Sequence, residues 1–226
     1  MTNDSYRHLK NGPDGSRGFS VVVDGSDDVL VTGNLGGDAI VAKLSGTDGS
    51  DIWSLSFGGL SPDAGLSVAV DGNGDVLATG IFRGPADFGD GPHIAAGSID
   101  VFLAKYSGFD GSHVWSRSFG GPLLDRGAAS VAVDGSGDVF LSGEFSDAVD
   151  FGGGPLTSAD GTGAFLAKYS GMNGSHVWSR QFGAESAVAA LDDDGNIMVA
   201  GHFLGTMDLG GVSLGLRERF VGQLRR

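Results

Sequence analysis

Aspartates alternate with glycines in three short segments of the chain, at Asp24–Asp28, Asp71–Asp75 and Asp134–Asp138. Carboxylates at alternating positions are typical of the start of a calcium-binding loop. Such a loop also needs glycine at its sixth position and glutamate at its twelfth, where the segment counted from Asp71 has Val76 and Phe82. The alternative is a hairpin turn, in which aspartate and glycine supply side-chain-to-backbone bonds and positive φ. The sequence therefore predicts turns, no cofactor and at most weak calcium binding.

A Gly-x-Ser-x-Gly pattern, at Gly211, Ser213 and Gly215, matches the nucleophile motif of serine hydrolases. That motif works on a strand-to-helix elbow beside a histidine base, and no helical pattern follows it here. The histidines do not have the spacing of a metal site, and we expect His113 and His176 to be solvated or bonded to turns. The sequence predicts no catalytic residue and no metal ligand, so we do not expect an enzyme.

Large aromatic residues recur at equivalent positions, at Tyr6, Trp53, Trp115 and Trp178. They could form a ring of sugar-stacking platforms, but large rings at regular intervals are more typical of a core between packed sheets. Lysines also recur, at Lys43, Lys105 and Lys168. We expect them to line the wetter side of their strands or to pair with aspartates of a neighbouring unit.

The composition limits the partners that this chain can have. Its net charge of −14 and pI near 4.4 repel phosphate backbones and anionic lipid, so nucleic acid is not an expected partner. The chain has no cysteine, and no apolar run approaches the roughly 20 residues that span a bilayer. We expect no membrane insertion and a monomer. The polar N-terminus lacks a signal peptide, which predicts a cytoplasmic protein if the chain is complete.

Internal repeats dominate the sequence. The segment Val101–Phe119 returns almost unchanged as Ala164–Phe182, and a looser copy occupies 40–53. A second element of two apolar runs precedes each copy, and its first run ends at a marker aspartate, Asp24, Asp71, Asp134 or Asp192, at spacings of 47, 63 and 58 residues. Each full repeat holds four short runs rich in valine and aromatic residues and bounded by glycine turns. In the third copy these predicted strands are Ser130–Asp134, Asp138–Phe145, Ala164–Ser170 and His176–Phe182.

Four strands per repeat, in tandem and without helices, predict an all-β fold of four antiparallel strands per blade, a four-bladed β-propeller. The fourth copy lacks its last strand, and Tyr6 precedes Asp24 by 18 residues, as Trp53 precedes Asp71. The N-terminal strand is therefore expected to complete the C-terminal blade and close the ring. The predicted single domain has blades at about 19–58, 66–120, 130–183 and 187–226 plus 5–10. A fragment of a larger ring, or pairing with a second copy, is the alternative.

Two motifs carry a family resemblance: Asp-Phe-Gly-Gly-Gly-Pro-Leu-Thr-Ser at 150–158 and the repeated Phe-Leu-Ala-Lys-Tyr-Ser-Gly followed by Gly-Ser-His-Val-Trp-Ser. They resemble the bacterial β-propeller repeat (SBBP-type) of secreted and cell-surface proteins, and the resemblance covers nearly the whole chain. It implies an extracellular or cell-surface location and a binding or adhesion role. It supplies no catalytic or ligand residue.

The connections between the second and third strands, and between successive repeats, differ most among the copies. Binding residues are disproportionately found on loops held by a rigid scaffold. The predicted ligand-binding residues are Asp63, Arg83, Asp125, Arg126 and Asp147. The sequence thus predicts a non-enzymatic binding or scaffold module for a protein or glycan at a bacterial surface. The alternatives are a structural spacer in a larger surface protein and, less favoured, a glycan-active enzyme at the ring axis.

Overall fold

The protein is an assembly of antiparallel β-sheets, as seen in a computed structural model. The structure describes residues 16–59, 61–121, 127–182, 186–191, 197–203, 206–208, 213–215 and 218–224. Every sheet in these ranges is antiparallel, and none of these residues is helical. No helix in them is long and apolar enough to cross a membrane. The all-β class that the sequence predicts is confirmed.

Four main sheets follow one another along the chain. The first contains β1 (Arg17–Val23), β2 (Val29–Leu35), β3 (Asp38–Leu44) and β4 (Asp51–Phe57). The second contains β5 (Ala64–Val70), β6 (Val76–Phe82), β9 (Asp100–Tyr106) and β10 (His113–Phe119), with a small hairpin of β7 (Pro85–Asp87) and β8 (Pro92–Ile94). The third contains β11 (Gly127–Val133), β12 (Val139–Asp150), β13 (Pro155–Tyr169) and β14 (His176–Phe182). The fourth contains β15 (Ser186–Leu191), β16 (Ile197–Phe203) and β19 (Glu218–Leu224), and β17 (Thr206–Asp208) pairs with β18 (Ser213–Gly215).

The Asp-Gly segments form the turn between the first two strands of the first three sheets, as predicted. In the second sheet Asp71 Oδ1 accepts hydrogen bonds from the N–H groups of Asn73 and Asp75, at 2.8 and 3.0 Å. Gly74 has a φ of 84°, which explains why glycine stands there. The first sheet has Asp27 at the equivalent position with a φ of 63°, a conformation that aspartate tolerates better than most residues.

The connection between the second and third strands is more ordered than the sequence suggests. In the third sheet β12 and β13 extend well beyond the predicted Asp138–Phe145 and Ala164–Ser170, and Ala148 pairs with Thr157 in the extension. The equivalent connection of the second sheet is the β7–β8 hairpin. An Asp-Phe-Gly triplet occurs in both connections, and its phenylalanine, Phe88 or Phe151, is buried. Each of these two connections therefore contributes a buried phenylalanine to the apolar core.

Consecutive sheets pack face to face. Strand β5 lies against β1 and β2, β11 lies against β5 and β6, and β15 lies against β11 and β12. One apolar core joins the first and second sheets, where Val68 packs with residues such as Val41 and Trp53. A second core joins the second and third sheets, where Val131 packs with residues such as Leu103 and Trp115. Trp53 and Trp115 are thus core residues, as predicted. Trp178 is only partly buried, and Tyr6 lies outside the described residues.

Candidate functional site

Each of the first three sheets holds a lysine between the two aspartates of its own Asp-Gly turn. Lys43 Nζ lies 2.7 Å from Asp24 and 3.4 Å from Asp28. Lys105 lies 2.7 Å from Asp71 and 3.2 Å from Asp75, and the same arrangement recurs at Lys168, Asp134 and Asp138. The expectation that these lysines line a wet face or pair with a neighbouring unit is wrong, because the hairpin folds the turn back over the third strand. The ammonium group therefore occupies the space between two carboxylates that a calcium ion would need.

The contacts of these aspartates and lysines shift their pKa values. Burial of Asp24 and Asp134 opposes their charge, but hydrogen bonds from lysine, serine and backbone donors outweigh it, so the pKa of each carboxyl lies below its ordinary value. Burial likewise disfavours the charged form of Lys105, but its bonds to Asp71 and Asp75 raise its pKa. Asp24, Asp134 and Lys105 are therefore charged at neutral pH.

The same lysines connect neighbouring sheets. Lys43 Nζ donates to the carbonyl oxygen of Gly108 at 3.1 Å, and Trp53 Nε1 donates to that oxygen at 3.3 Å. Gly108 lies in the β9–β10 turn of the second sheet. Lys105 and Trp115 repeat this arrangement, since both donate to the carbonyl oxygen of Gly171 at 3.1 Å. The first and second sheets thus each contact a turn of the following sheet in the same way. In both cases a lysine and a tryptophan donate to a single glycine carbonyl oxygen of that turn.

A cleft opens between the first and second sheets on the side of these turns. It encloses about 570 Å³ and is lined by turn residues that include Asp24, Asp71, Asn73 and Phe109. The Phe109 side chain is 90% exposed at the edge of the cleft, which is unusual for a large apolar residue. Met172 takes the equivalent place in the third sheet and is 81% exposed. Aspartate and asparagine oxygens beside an exposed aromatic ring can bind a polar ligand with an apolar face.

The structure brings two of the predicted ligand-binding residues together. Asp63 is only 2% exposed, and its carboxylate accepts hydrogen bonds from the N–H groups of Arg83 at 2.7 Å and Gly59 at 3.2 Å. Burial raises the pKa of the Asp63 carboxyl, and the Arg83 guanidinium donates to the carbonyl oxygen of Pro62. Asp147 lies apart from them in β12 with a φ of 57°, while Asp125 and Arg126 lie outside the described residues. The role of all five residues in ligand binding stays a prediction.

One polar cluster was not predicted from the sequence. His93 Nε2 lies 2.9 Å from Asp90 Oδ1, and His93 Nδ1 lies 3.0 Å from Ser118 Oγ. Ser116 Oγ donates to the same Asp90 oxygen at 2.6 Å. The cluster fastens the β7–β8 hairpin to β10, and its residues come from segments 23 or more positions apart, a separation that sequence spacing does not show. Nothing in the described ranges groups three or more ligating side chains into a metal site.

The repeated histidines differ from expectation. His113 and His176 are only partly exposed, and the Nε2 atom of each is buried without a hydrogen-bond partner. His113 packs against Tyr106, with ring centroids 6.1 Å apart, and lies directly on Gly89 of the Asp-Phe-Gly triplet. The glycine is needed there because a Cβ at Gly89 would lie 2.6 Å from His113 Cβ. The two histidine side chains thus pack against the glycines of the Asp-Phe-Gly triplets.

No protein-family model matches the chain, and no curated protein matches it.

Proposed function

We propose that this chain is a four-bladed β-propeller that acts as a non-enzymatic binding module. Three successive four-stranded sheets of equivalent register, and a fourth sheet with three strands among the described residues, support this architecture. Face-to-face packing in chain order is what a propeller requires. The sequence resemblance to bacterial surface repeats supports a location at the cell surface, with the N-terminal strand completing the fourth blade.

The ligand we propose is a glycan, bound in the cleft between the first and second sheets. The observation that carries this proposal is the 90% exposed ring of Phe109 beside a cleft lined by Asn73 and Asp75. An aromatic face stacks on the apolar face of a sugar ring, while carboxylate and amide oxygens accept its hydroxyl groups. The rigid contacts around Gly108 hold the Phe109 turn in place, so little conformational freedom is lost on binding.

A glycan array with the purified protein, followed by titration of the best ligand, tests this proposal. We expect Phe109→Ala to weaken binding about tenfold, because covering part of the Phe109 ring contributes about 1.4 kcal/mol of burial free energy. The matched control is Met172→Ala, which removes the equivalent exposed side chain of the third sheet and should leave affinity unchanged. Both residues are exposed, so neither change should alter the fold.

Three results would contradict the proposal. Equal loss of affinity in both variants would show that the cleft is not the site. The absence of any glycan ligand would favour the structural alternative, a spacer within a larger surface protein, for which the rigid connection of sheet to sheet would be sufficient. Loss of affinity on changing Asp63 or Arg83 instead would place the site at the loops that the sequence predicts.

A further inference from the structure

The junction between the first and second sheets closely repeats the junction between the second and third. Trp53 packs on Gly111 as Trp115 packs on Gly174, with a Cβ at either glycine falling 2.6–3.0 Å from the indole ring. Phe57 and Tyr106 have ring centroids 5.2 Å apart, and Phe119 and Tyr169 have theirs 5.3 Å apart. The two junctions can therefore be compared position by position within one chain.

One position differs in a way that changes the chemistry. The outer strands have the sequence Trp-Ser-Arg at 115–117 and at 178–180, but Trp-Ser-Leu at 53–55. Arg117 crosses to the next sheet, where its Nε donates to the carbonyl oxygen of Gly174 at 3.1 Å and its Nη2 donates to that of Asn173 at 2.8 Å. Leu55 cannot donate to the equivalent turn, Asp110–Gly111. The first junction thus has a turn equivalent to the one that accepts from Arg117, but it has no arginine that could donate to this turn.

A cavity lies where that guanidinium would be. It encloses about 470 Å³ and is lined by Leu55, Phe57, Gly111, His113 and, at its edge, Asp87. Its walls are both polar and apolar, with the carboxylate of Asp87 on the same cavity as the side chains of Leu55 and Phe57. A chain with a net charge of −14 attracts cations to such a site.

We propose that this cavity binds an arginine side chain of a partner protein, in the way that the second junction binds Arg117. Arginine fits better than lysine because its planar guanidinium presents several donors in a fixed fork, and Arg117 uses two of its nitrogens on two successive carbonyl oxygens. The apolar part of the walls suits the methylene groups of the side chain. This site is separate from the cleft at Phe109 and does not depend on the proposed glycan binding.

The probes are acetyl-Gly-Arg-Gly-amide and its lysine counterpart, titrated into the isotope-labelled full chain at low salt and followed by NMR. We expect saturable shifts around Leu55, Gly111 and His113 with a dissociation constant near 1 mM, the range of a single side-chain contact of about 4 kcal/mol. The lysine peptide should bind at least fivefold more weakly. Absence of saturable shifts up to about 10 mM, or equal binding of both peptides, would overturn the proposal.

Two variants tie the binding to this cavity. Leu55→Arg supplies the guanidinium from the chain itself, so it should abolish peptide binding and raise the melting temperature. Leu55→Met keeps an apolar side chain at this position and should bind the arginine peptide like the original chain. Binding by the Leu55→Arg variant as strong as that of the original chain would show that the peptide binds elsewhere. Phe109→Ala should leave arginine binding unchanged, which separates this test from that of the glycan cleft.

Discussion

At the scale of single residues, the strongest interactions of this protein are built around lysines that serve two purposes. Lys105 pairs with Asp71 and Asp75 in the turn of its own sheet and also donates to the carbonyl oxygen of Gly171 in the next sheet. Both partners of its shortest ion pair are almost fully buried, with side chains 6% and 2% exposed. A buried charge is tolerated only when it is paired and fully hydrogen-bonded. The turn and the sheet-to-sheet contact therefore depend on the same ammonium group.

Replacing Lys105 by methionine should lower the free energy of unfolding by about 3–5 kcal/mol, because it leaves the Asp71 carboxylate buried without its partner. Chemical denaturation followed by tryptophan fluorescence measures the loss. The double variant Lys105→Met/Asp71→Asn is the control: asparagine keeps an oxygen for the N–H groups of Asn73 and Asp75 but removes the charge, so part of the stability should return. A loss below about 1 kcal/mol in the single variant would mean that the pair behaves as an exposed one.

The sequence allowed some of these residue roles to be predicted and not others. The burial of Trp53 and Trp115 followed from their recurrence at equivalent positions on strands. The pairing of each lysine with its own turn did not follow, because alternation along a strand gives the face of a side chain but not the position of a turn folded over it. The Asp90–His93–Ser118 cluster was missed for a similar reason, since the β7–β8 hairpin alone brings these residues together.

At the scale of elements, the Asp-Gly turn resembles the start of a calcium loop but is stabilised without an ion. Asp71 Oδ1 is already used by two backbone N–H groups and Oδ2 by Lys105. A calcium ion would have to displace the lysine and find further oxygen ligands, of which a calcium site needs six to eight. The turn therefore offers few oxygens for calcium.

Millimolar calcium should consequently change the melting temperature by no more than about 2 °C, since a ligand stabilises only in proportion to its occupancy of the folded state. Differential scanning fluorimetry with calcium and with EDTA measures this. Magnesium at the same concentration is the control for a general effect of divalent charge on an acidic protein. A rise of about 10 °C or more with calcium alone would show that these turns bind the ion tightly.

Strand positions were predicted well where the sequence alternates and poorly where it does not. The predicted strand His176–Phe182 is the observed β14. The extension of β12 and β13 through Asp150 and Pro155 was not predicted, because glycine and proline in this segment are typical of a loop. What orders it is the burial of Phe151 against Phe165, with ring centroids 3.9 Å apart. That contact between distant segments outweighs the local preference for a turn.

At the scale of the whole molecule, the two ends of the row of sheets determine whether a ring can form. Val68 in β5 and Val131 in β11 are each 6% exposed because the preceding sheet covers them. The equivalent Val21 in β1 is 65% exposed, and Phe19 and Val23 beside it are also exposed. An uncovered apolar stripe of this kind is a site of association or aggregation unless another sheet covers it. In the proposed ring the fourth sheet supplies that cover.

Ring closure further requires an outer strand for the fourth sheet, which the segment Ser5–Leu9 is proposed to supply with Tyr6 in the place of the tryptophans. Deleting the first ten residues would then remove a core aromatic and leave β19 as an open edge. Loss of a buried aromatic alone costs about 3–5 kcal/mol, a large part of a net stability of roughly 5–15 kcal/mol. We expect the truncated protein to aggregate or to melt at a much lower temperature, as measured by light scattering and calorimetry.

Two further variants make this deletion informative. Removing only the first four residues should leave the melting temperature unchanged, because they precede the proposed strand. Tyr6→Trp should also be tolerated, since tryptophan fills the equivalent position in the other three repeats. A ten-residue deletion that stays monomeric with an unchanged melting temperature would mean that the N-terminal segment does not complete the fourth sheet. The exposed stripe around Val21 would then need a different cover, from a second copy or from further sheets of a longer chain.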